Sequence, residues 1–317
     1  MAEFKTLLPA ELFDLISKCG ISTPKQILTL STWDIKKNTN LNTHDIALLK
    51  NIAAKFSFSS GVLRGDKILT IAKITSGCAE LDNLLEGGFR SGTITEIYGE
   101  SGSGKTQICM NASLYNWRTG AVYICTEDAF PMARFEQMKH CLPSYNPTTD
   151  YGKKIFVDLI TEAVDLNSCV KVRLPKLMEA HRPCLIVVDS IAGPFRSDNT
   201  NYINRAQDLR EIALALIKLA KQYNAAVICV NQVTACCEDI MDDQTIPSLG
   251  LAWSNMVSSR LSVKKTDEIL QNVFSNISDN HITPIREIDI VFSPDLPNSK
   301  FKFIITYLYP NLMPRLR

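Results

Sequence analysis

Residues 99–106 read GESGSGKT, the Gly-x4-Gly-Lys-Thr spacing of a loop that closes round a phosphate. Glycines at 99, 102 and 104 let the backbone turn its N–H groups inward onto an anion. Glu100, Ser101 and Ser103 complete the loop, and a helix carrying Gln107 in its first turn would add its positive end. Lys105 is spaced to reach β and γ phosphates and Thr106 to ligate a metal ion, so the expected ligand is ATP with Mg2+. LIVVDS at 185–190 supplies the second half: an apolar strand ending in Asp189, where a magnesium–water ligand belongs. Hydrolysis also needs a group to orient or deprotonate water, and Glu127, just past the run AVYICT, is the candidate. Asp128 competes for that role, and two solvated loop acids are the plainer reading of the pair. Gln232, after AVICVN, is placed to contact a γ phosphate, although an amide there can equally cap a turn.

Such residues need a scaffold that brings strand ends together. TEIYG, AVYICT, IFVDLI, LIVVDS and AVICVN are short β-branched runs, with helical patterns at 105–117 and 205–223 between several of them. The alternation predicts an α/β fold with a mostly parallel sheet, covered by helices on both faces. Beyond residue 258, SSRLSVKK, REIDIVF and KFKFIIT predict a strand-rich extension. Upstream, LPAELFDLISKCG ends on Gly20, STPKQILTL opens with a cap and Pro24, and NTHDIALLKNIAAKF repeats apolar positions at helical spacing. The expected organisation is a small all-helical domain at 1–55, a linker at 56–67 containing the Ser- and Gly-rich FSFSSGVLRGD region, and the α/β core at 68–317.

With 45% hydrophobic and 21% charged residues, the 317-residue chain has enough apolar surface for a full core. Its formal net charge of +1 excludes a global basic field, so any nucleic-acid contact must be local. No apolar run approaches the about 18 residues that would span a bilayer, and MAEFKTLLPAELFDL is unlike a signal peptide, so an intracellular protein is expected. Ten cysteines lie scattered from Cys19 to Cys237 without a CxxC pair, which predicts reduced and mostly buried thiols.

The segment ITSGCAELDNLLEGGFRSGTITEIYGESGSGKTQ, followed in order by TED, VDS and NQV, resembles the eukaryotic RecA-like recombinases and their paralogues, which act in homologous recombination. More narrowly, AVYICTEDAFP, VDSIAGPFR, NQVT and LGLAWSN resemble the X-ray-repair cross-complementing paralogues. The resemblance covers nearly the whole chain. It implies a RecA-type P-loop core behind a helix-hairpin-helix-like domain, with Lys105 and Thr106 on phosphate and magnesium, Asp189 as the second magnesium residue, Glu127 activating water and Gln232 sensing the γ phosphate. It adds Arg134 stacked on adenine, a contact suited to a planar guanidinium, and Pro294 and Asp295 in a segment capping ATP across a subunit boundary. Phe58 sits where the family places an aromatic anchor for a neighbouring subunit in an FxxA pattern; here it reads FSSG, with Gly61 in place of alanine. The implied partners are another RecA-like paralogue of the C type, as heterodimer partner, the main recombinase filament, and DNA through the complex. The implied location is the nucleus, with the cytoplasm as a second site.

Two departures bear on function. The first loop is only SDNTNYI, and the second, ACCEDIMDDQTIPSLG, carries Glu238, Asp239, Asp242 and Asp243 without a Lys or Arg. Phosphate neutralisation supplies much of DNA affinity, so an acidic loop there repels the backbone; Arg196, Arg205, Lys36 and Lys37 are the alternative sources of charge. Phe292 replaces the family's cap aspartate, either altering the cap or packing at a strand end. The expectation is an ATP-binding, DNA-stimulated ATPase acting as a mediator of double-strand break repair in a heteromeric complex. A non-hydrolysing ATP-dependent scaffold and, against the loops, an autonomous strand-exchange enzyme are the alternatives.

Overall fold

The computed structural model describes residues 8, 10–21, 23–57, 71–143, 145–196, 202–235, 245–271, 282–305 and 312–314. Phe58, Gly61, the acidic stretch of the second loop, and Cys236 and Cys237 lie outside the described residues. The chain divides into two compact units, Met1–Thr70 and Ile71–Arg317.

The first unit holds helices α1 (Ala10–Lys18), α2 (Pro24–Thr29), α3 (Thr32–Thr39) and α4 (Thr43–Ser57). Ile16, Ile27, Ile35, Ile46, Leu49 and Ala53 form its core. Three helical patterns are visible in the sequence, and α3 is the fourth. Its sequence TWDIKKNT buries only Ile35 and Thr39, too few to make an apolar stripe. Its start is set by a reciprocal cap instead: the Asp34 N–H donates to Ser31 Oγ at 3.1 Å, and the Ser31 N–H donates to the Asp34 carboxylate at 3.3 Å. Helix α4 continues through Phe56 and Ser57, into the stretch expected as linker.

The second unit begins with β1 (Lys73–Ile74), α5 (Ala79–Leu84), β2 (Phe89–Arg90), β3 (Ile94–Tyr98), α6 (Lys105–Tyr115), β4 (Ala121–Cys125), α7 (Met132–His140) and β5 (Ile155–Leu159). It continues with α8 (Ala163–Ser168), a π-helical turn at Cys169–Arg173, α9 (Leu174–His181), β6 (Leu185–Asp189), a 3-10 turn at Gly193–Phe195, α10 (Tyr202–Tyr223) and β7 (Ala226–Asn231). A small hairpin, β8 (Val233–Ala235) with β9 (Thr245–Pro247), then α11 (Gly250–Ser254), β10 (Ser259–Gln271), β11 (Ile282–Phe292), β12 (Lys300–Ile305) and β13 (Leu312–Pro314) complete it.

Nine strands form one sheet in the order β13-β12-β11-β10-β3-β7-β6-β4-β5. Pairing is parallel from β10 through β5 and antiparallel across β10, β11, β12 and β13, so the strand-rich extension is a meander added to a parallel core. The central strands read as unbroken apolar runs because both faces are covered. Along β4, Tyr123 and Cys125 pack on the side of α6 and α7, while Val122 and Ile124 pack on the side of α8, α9 and α10. In register, Tyr98 pairs with Asn231, and Asp189 with both Cys125 and Val230. The residues following β3, β4, β6 and β7 therefore all emerge at one carboxyl edge. Eight described cysteines are not joined in disulfides, and burial pushes the Cys125 thiol up to about 12. Among the described residues no helix is long and apolar enough to cross a membrane.

Candidate phosphate and magnesium site

The phosphate loop runs from the end of β3 into α6. A Cβ on Gly99 would lie 1.9 Å from the Val263 carbonyl oxygen on the adjoining strand β10, and one on Gly104, at φ 110°, would lie 2.7 Å from Ile305 Cδ1. Glycine is required at both positions: by close backbone approach at the first, by a left-handed φ and the strand β12 side chain at the second. Lys105 is folded back inside this arc, its Nζ donating to the Gly99 and Glu100 carbonyls at 2.7 Å each. Burial lowers the Lys105 pKa, opposed by the charges of Asp189 and Glu127. Among the described residues, the buried Ser103 hydroxyl has no hydrogen-bond partner. A partly desolvated ammonium and an orphaned hydroxyl inside a glycine-walled arc suit a phosphate.

Opposite the loop, Asp189 Oδ2 accepts hydrogen bonds from Thr106 Oγ1 and Tyr123 Oη, both at 2.7 Å. Burial raises the Asp189 pKa; the Thr106 and Tyr123 hydrogen bonds and the Lys105 charge pull it back. One hydroxyl and one carboxylate are a fitting protein share for Mg2+, which keeps waters and takes substrate phosphate oxygens for the rest of its shell. Tyr123 was not legible as a site residue, since one tyrosine in an apolar strand reads as core. Its hydroxyl fixes the carboxylate from behind, and such partners are worth about 10- to 100-fold in metal affinity. Tyr123→Phe should therefore weaken Mg2+ binding by about tenfold, measured by magnesium titration of nucleotide affinity; an unchanged midpoint would remove Tyr123 from the site.

A cleft of about 380 Å³ is lined by Lys105, Thr106, Glu127, Asp128, Asp189 and Gln232, among others. Thus the loop, both expected metal residues, both competing acids and the expected sensor amide share one space. Gln232 Nε2 donates to both Glu127 oxygens, at 2.8 and 2.9 Å, so the amide contacts the acid directly. Ser190 Oγ also donates to Glu127, at 2.5 Å.

Of the other expected residues, Gln107 also lines the cleft, whereas Arg134, Pro294 and Asp295 do not. Arg134, on α7, donates through Nε to Gln107 Oε1 at 3.0 Å and through Nη1 to Gln137 at 3.2 Å. Gln107 donates in turn to Met138 Sδ at 2.9 Å, so Arg134 and Gln107 are tied between α6 and α7. Pro294 and Asp295 follow β11, where Asp295 pairs with Arg90 at 3.1 Å and accepts from Ser293 Oγ at 2.9 Å. Neither lines the cleft of this chain. Arg196 is not a free cation for DNA: its Nη2 stands 3.2 Å from Glu127 Oε1. Phe292 packs its ring on the Arg260 guanidinium, 5.1 Å from ring centroid to Cζ.

Behind the loop lies a buried polar network that the sequence did not reveal. Glu96, fully buried on β3, accepts from Asn231 Nδ2 at 2.7 Å, from Trp253 Nε1 at 2.9 Å and from Arg260 Nε. Asn231 also donates to the Ser248 carbonyl at 2.8 Å and accepts the Gln232 N–H at 2.8 Å. The stem of the second loop is thereby fastened to the strand that leads into the phosphate loop.

The chain is similar in sequence and in fold to known proteins. The Rad51 family profile matches residues 67–306. DNA repair protein XRCC3 of Bos taurus is 30% identical over 325 residues, covering 92% of each chain. The DNA repair protein XRCC3 homolog of Arabidopsis thaliana is 32% identical over 280 residues, covering 75% of this chain and 92% of that one. The crystal structure of the RadB recombinase superimposes with a TM-score of 0.59 at 23% identity, over 74% of this chain and 97% of that one, and so shares the fold.

Proposed function

Because the chain belongs to the Rad51 family, we propose that it is an ATP-binding, magnesium-dependent mediator of homologous recombination, working in a heteromeric complex with a second RecA-like paralogue. Membership carries a role in DNA repair and recombination, as in its XRCC3 relatives. The observation that supports ATP most strongly is the convergence of Lys105, the Thr106–Asp189 pair and the Glu127–Gln232 pair on one cleft.

ATP bound with Mg2+ supplies a γ phosphoryl group that passes to water, with ADP as the leaving group. The protein's share is positioning and charge. Lys105 and the loop amides would hold the phosphates, Thr106 and Asp189 would hold the metal, and Tyr123 orients Asp189. Glu127 takes the proton of the attacking water, and Gln232, bonded to that carboxylate, links its position to the stem of the second loop. Arg134 is assigned to the adenine side, and Pro294 and Asp295 to a cap over a neighbouring subunit's nucleotide. Phe58 is assigned as the anchor onto the paralogue, with Gly61 weakening the usual pattern. The acidic second loop supports mediation over autonomous strand exchange. Such a protein works in the nucleus.

Magnesium-dependent ATP turnover, measured on the purified chain alone and mixed with a candidate paralogue, tests this, with Lys105→Ala as the blank. Turnover that appears only in the mixture is the expected result and indicates a composite site. Robust turnover alone would overturn the need for a partner. Tight ATP binding without turnover in either case would favour a scaffold that ATP orders through linkage.

A further inference from the structure

Glu127 is gripped by the turn that leads out of β6 toward the first loop. Ser190, Gly193 and Arg196 all belong to that turn. The Gly193 N–H donates to Ser190 Oγ at 3.1 Å, and a Cβ on Gly193 would lie 2.6 Å from Thr126 Oγ1 and 2.9 Å from Glu127 Cγ. Thr126 Oγ1 accepts the Ser190 N–H at 2.8 Å and donates to the Ser190 carbonyl at 2.6 Å, locking the turn to the end of β4. Arg196 is its last described residue, directly before residues 197–201.

The consequence lies in the lone pairs of the acid. Oε1 of Glu127 faces three donors, Ser190 Oγ, Gln232 Nε2 and Arg196 Nη2, and Oε2 shares the Gln232 amide. A carboxylate so engaged must take a water proton on Oε2, whose direction the donors on Oε1 fix. Of the three donors, Arg196 is the one that carries a full charge, and about half of its side chain is exposed, at 51%. An exposed ion pair is weak and sensitive to competing ions, and a guanidinium binds phosphate in a bidentate fork at least as well as it binds one carboxylate oxygen.

We propose that Arg196 is a positioning residue that restrains Glu127, and that a nucleic-acid phosphate at the stem of the first loop draws the guanidinium away and frees the acid for the water proton. This gives a physical link between DNA at the first loop and turnover at the phosphate loop. It rests on the hydrolysis reading above.

Steady-state turnover of the full chain, alone or in the complex that supports turnover, tests the proposal with and without oligo(dT). Arg196→Ala should raise the DNA-free kcat about 3- to 10-fold with KM for ATP unchanged, and bring stimulation by oligo(dT) close to unity. Arg196→Lys, which keeps the charge without the fork, should fall between. A DNA-free kcat that is unchanged or lowered in Arg196→Ala overturns the proposal alone. Absence of turnover in wild type and both variants, with Mg-ATP binding intact, overturns the hydrolysis reading and the proposal with it. A second measurement needs no turnover: in nucleotide-free melts, the Tm losses of Arg196→Ala and Glu127→Gln should be less than additive in the double variant, and strict additivity would overturn the contact.

Discussion

Lys105→Ala should lower Mg-ATP affinity by about 100-fold or more while leaving the nucleotide-free protein nearly as stable as wild type. The two halves of that result have one cause. In the nucleotide-free loop the ammonium is partly desolvated, which is why burial lowers its pKa, and among the described residues its Nζ is satisfied by the Gly99 and Glu100 carbonyls alone, at 2.7 Å. Removing it relieves a desolvated charge and strands two carbonyls, effects of opposite sign and similar size. The expected change in Tm is within about 2 °C. A bound triphosphate changes the balance, since each charge-assisted hydrogen bond to phosphate contributes about 1.5–3 kcal/mol and the lysine can make two. Their loss corresponds to about two to four orders of magnitude in affinity. Isothermal titration with Mg-ATP checks the first half, and the loss of the ATP-induced rise in Tm checks both together. Retained affinity within about tenfold of wild type would mean that the loop amides alone hold the phosphates.

What the sequence disclosed and what it hid follow from the range of the interactions. GESGSGKT is legible because eight consecutive residues build the loop, and each must satisfy a local backbone demand. Asp189 and Glu127 are legible because each ends an apolar run, and a parallel sheet collects such ends at one edge. The late strands are legible as well, since β10, β11 and β12 each carry their own β-branched run. Glu96 is hidden for the opposite reason. Within ITEIY a lone acid suggests a wetted strand face, and only the side-by-side placement of β3 with β7 and β10 shows that three donors surround it. Arg196 is hidden likewise: counted by charge it looks available for DNA, and only the fold of its turn brings it to Glu127. The aromatic at Phe292 also gains its reason only in three dimensions, as the cover over the Arg260 guanidinium.

That buried network sets up the second large effect. Glu96→Ala should destabilise the chain by about 3–5 kcal/mol, because it leaves a buried guanidinium without its counter-charge and orphans the Trp253 and Asn231 donors besides. Among the described residues, Arg260 then keeps the side-chain contacts with the Ser254 hydroxyl, at 3.0 Å, and the faces of Phe292 and Tyr98. Glu96→Gln should cost less, since an amide oxygen in the place of Oε1 still accepts from Asn231 and Trp253, but its NH2 then faces the Arg260 donor. Adding Arg260→Met to Glu96→Ala should recover part of the loss, as removing both charges costs less than stranding one; full additivity in urea melts would mean that the pair is not coupled. The damage should also reach the site. Asn231 bridges Glu96 to Ser248 and accepts the backbone N–H of Gln232, so a loosened Asn231 lets the Gln232 amide drift from the Glu127 carboxylate. At a temperature where Glu96→Gln remains folded, kcat should fall while Mg-ATP affinity holds, because Lys105, Thr106 and Asp189 do not depend on that bridge. A parallel loss of ATP affinity would instead show that Glu96 supports the phosphate loop itself through β3.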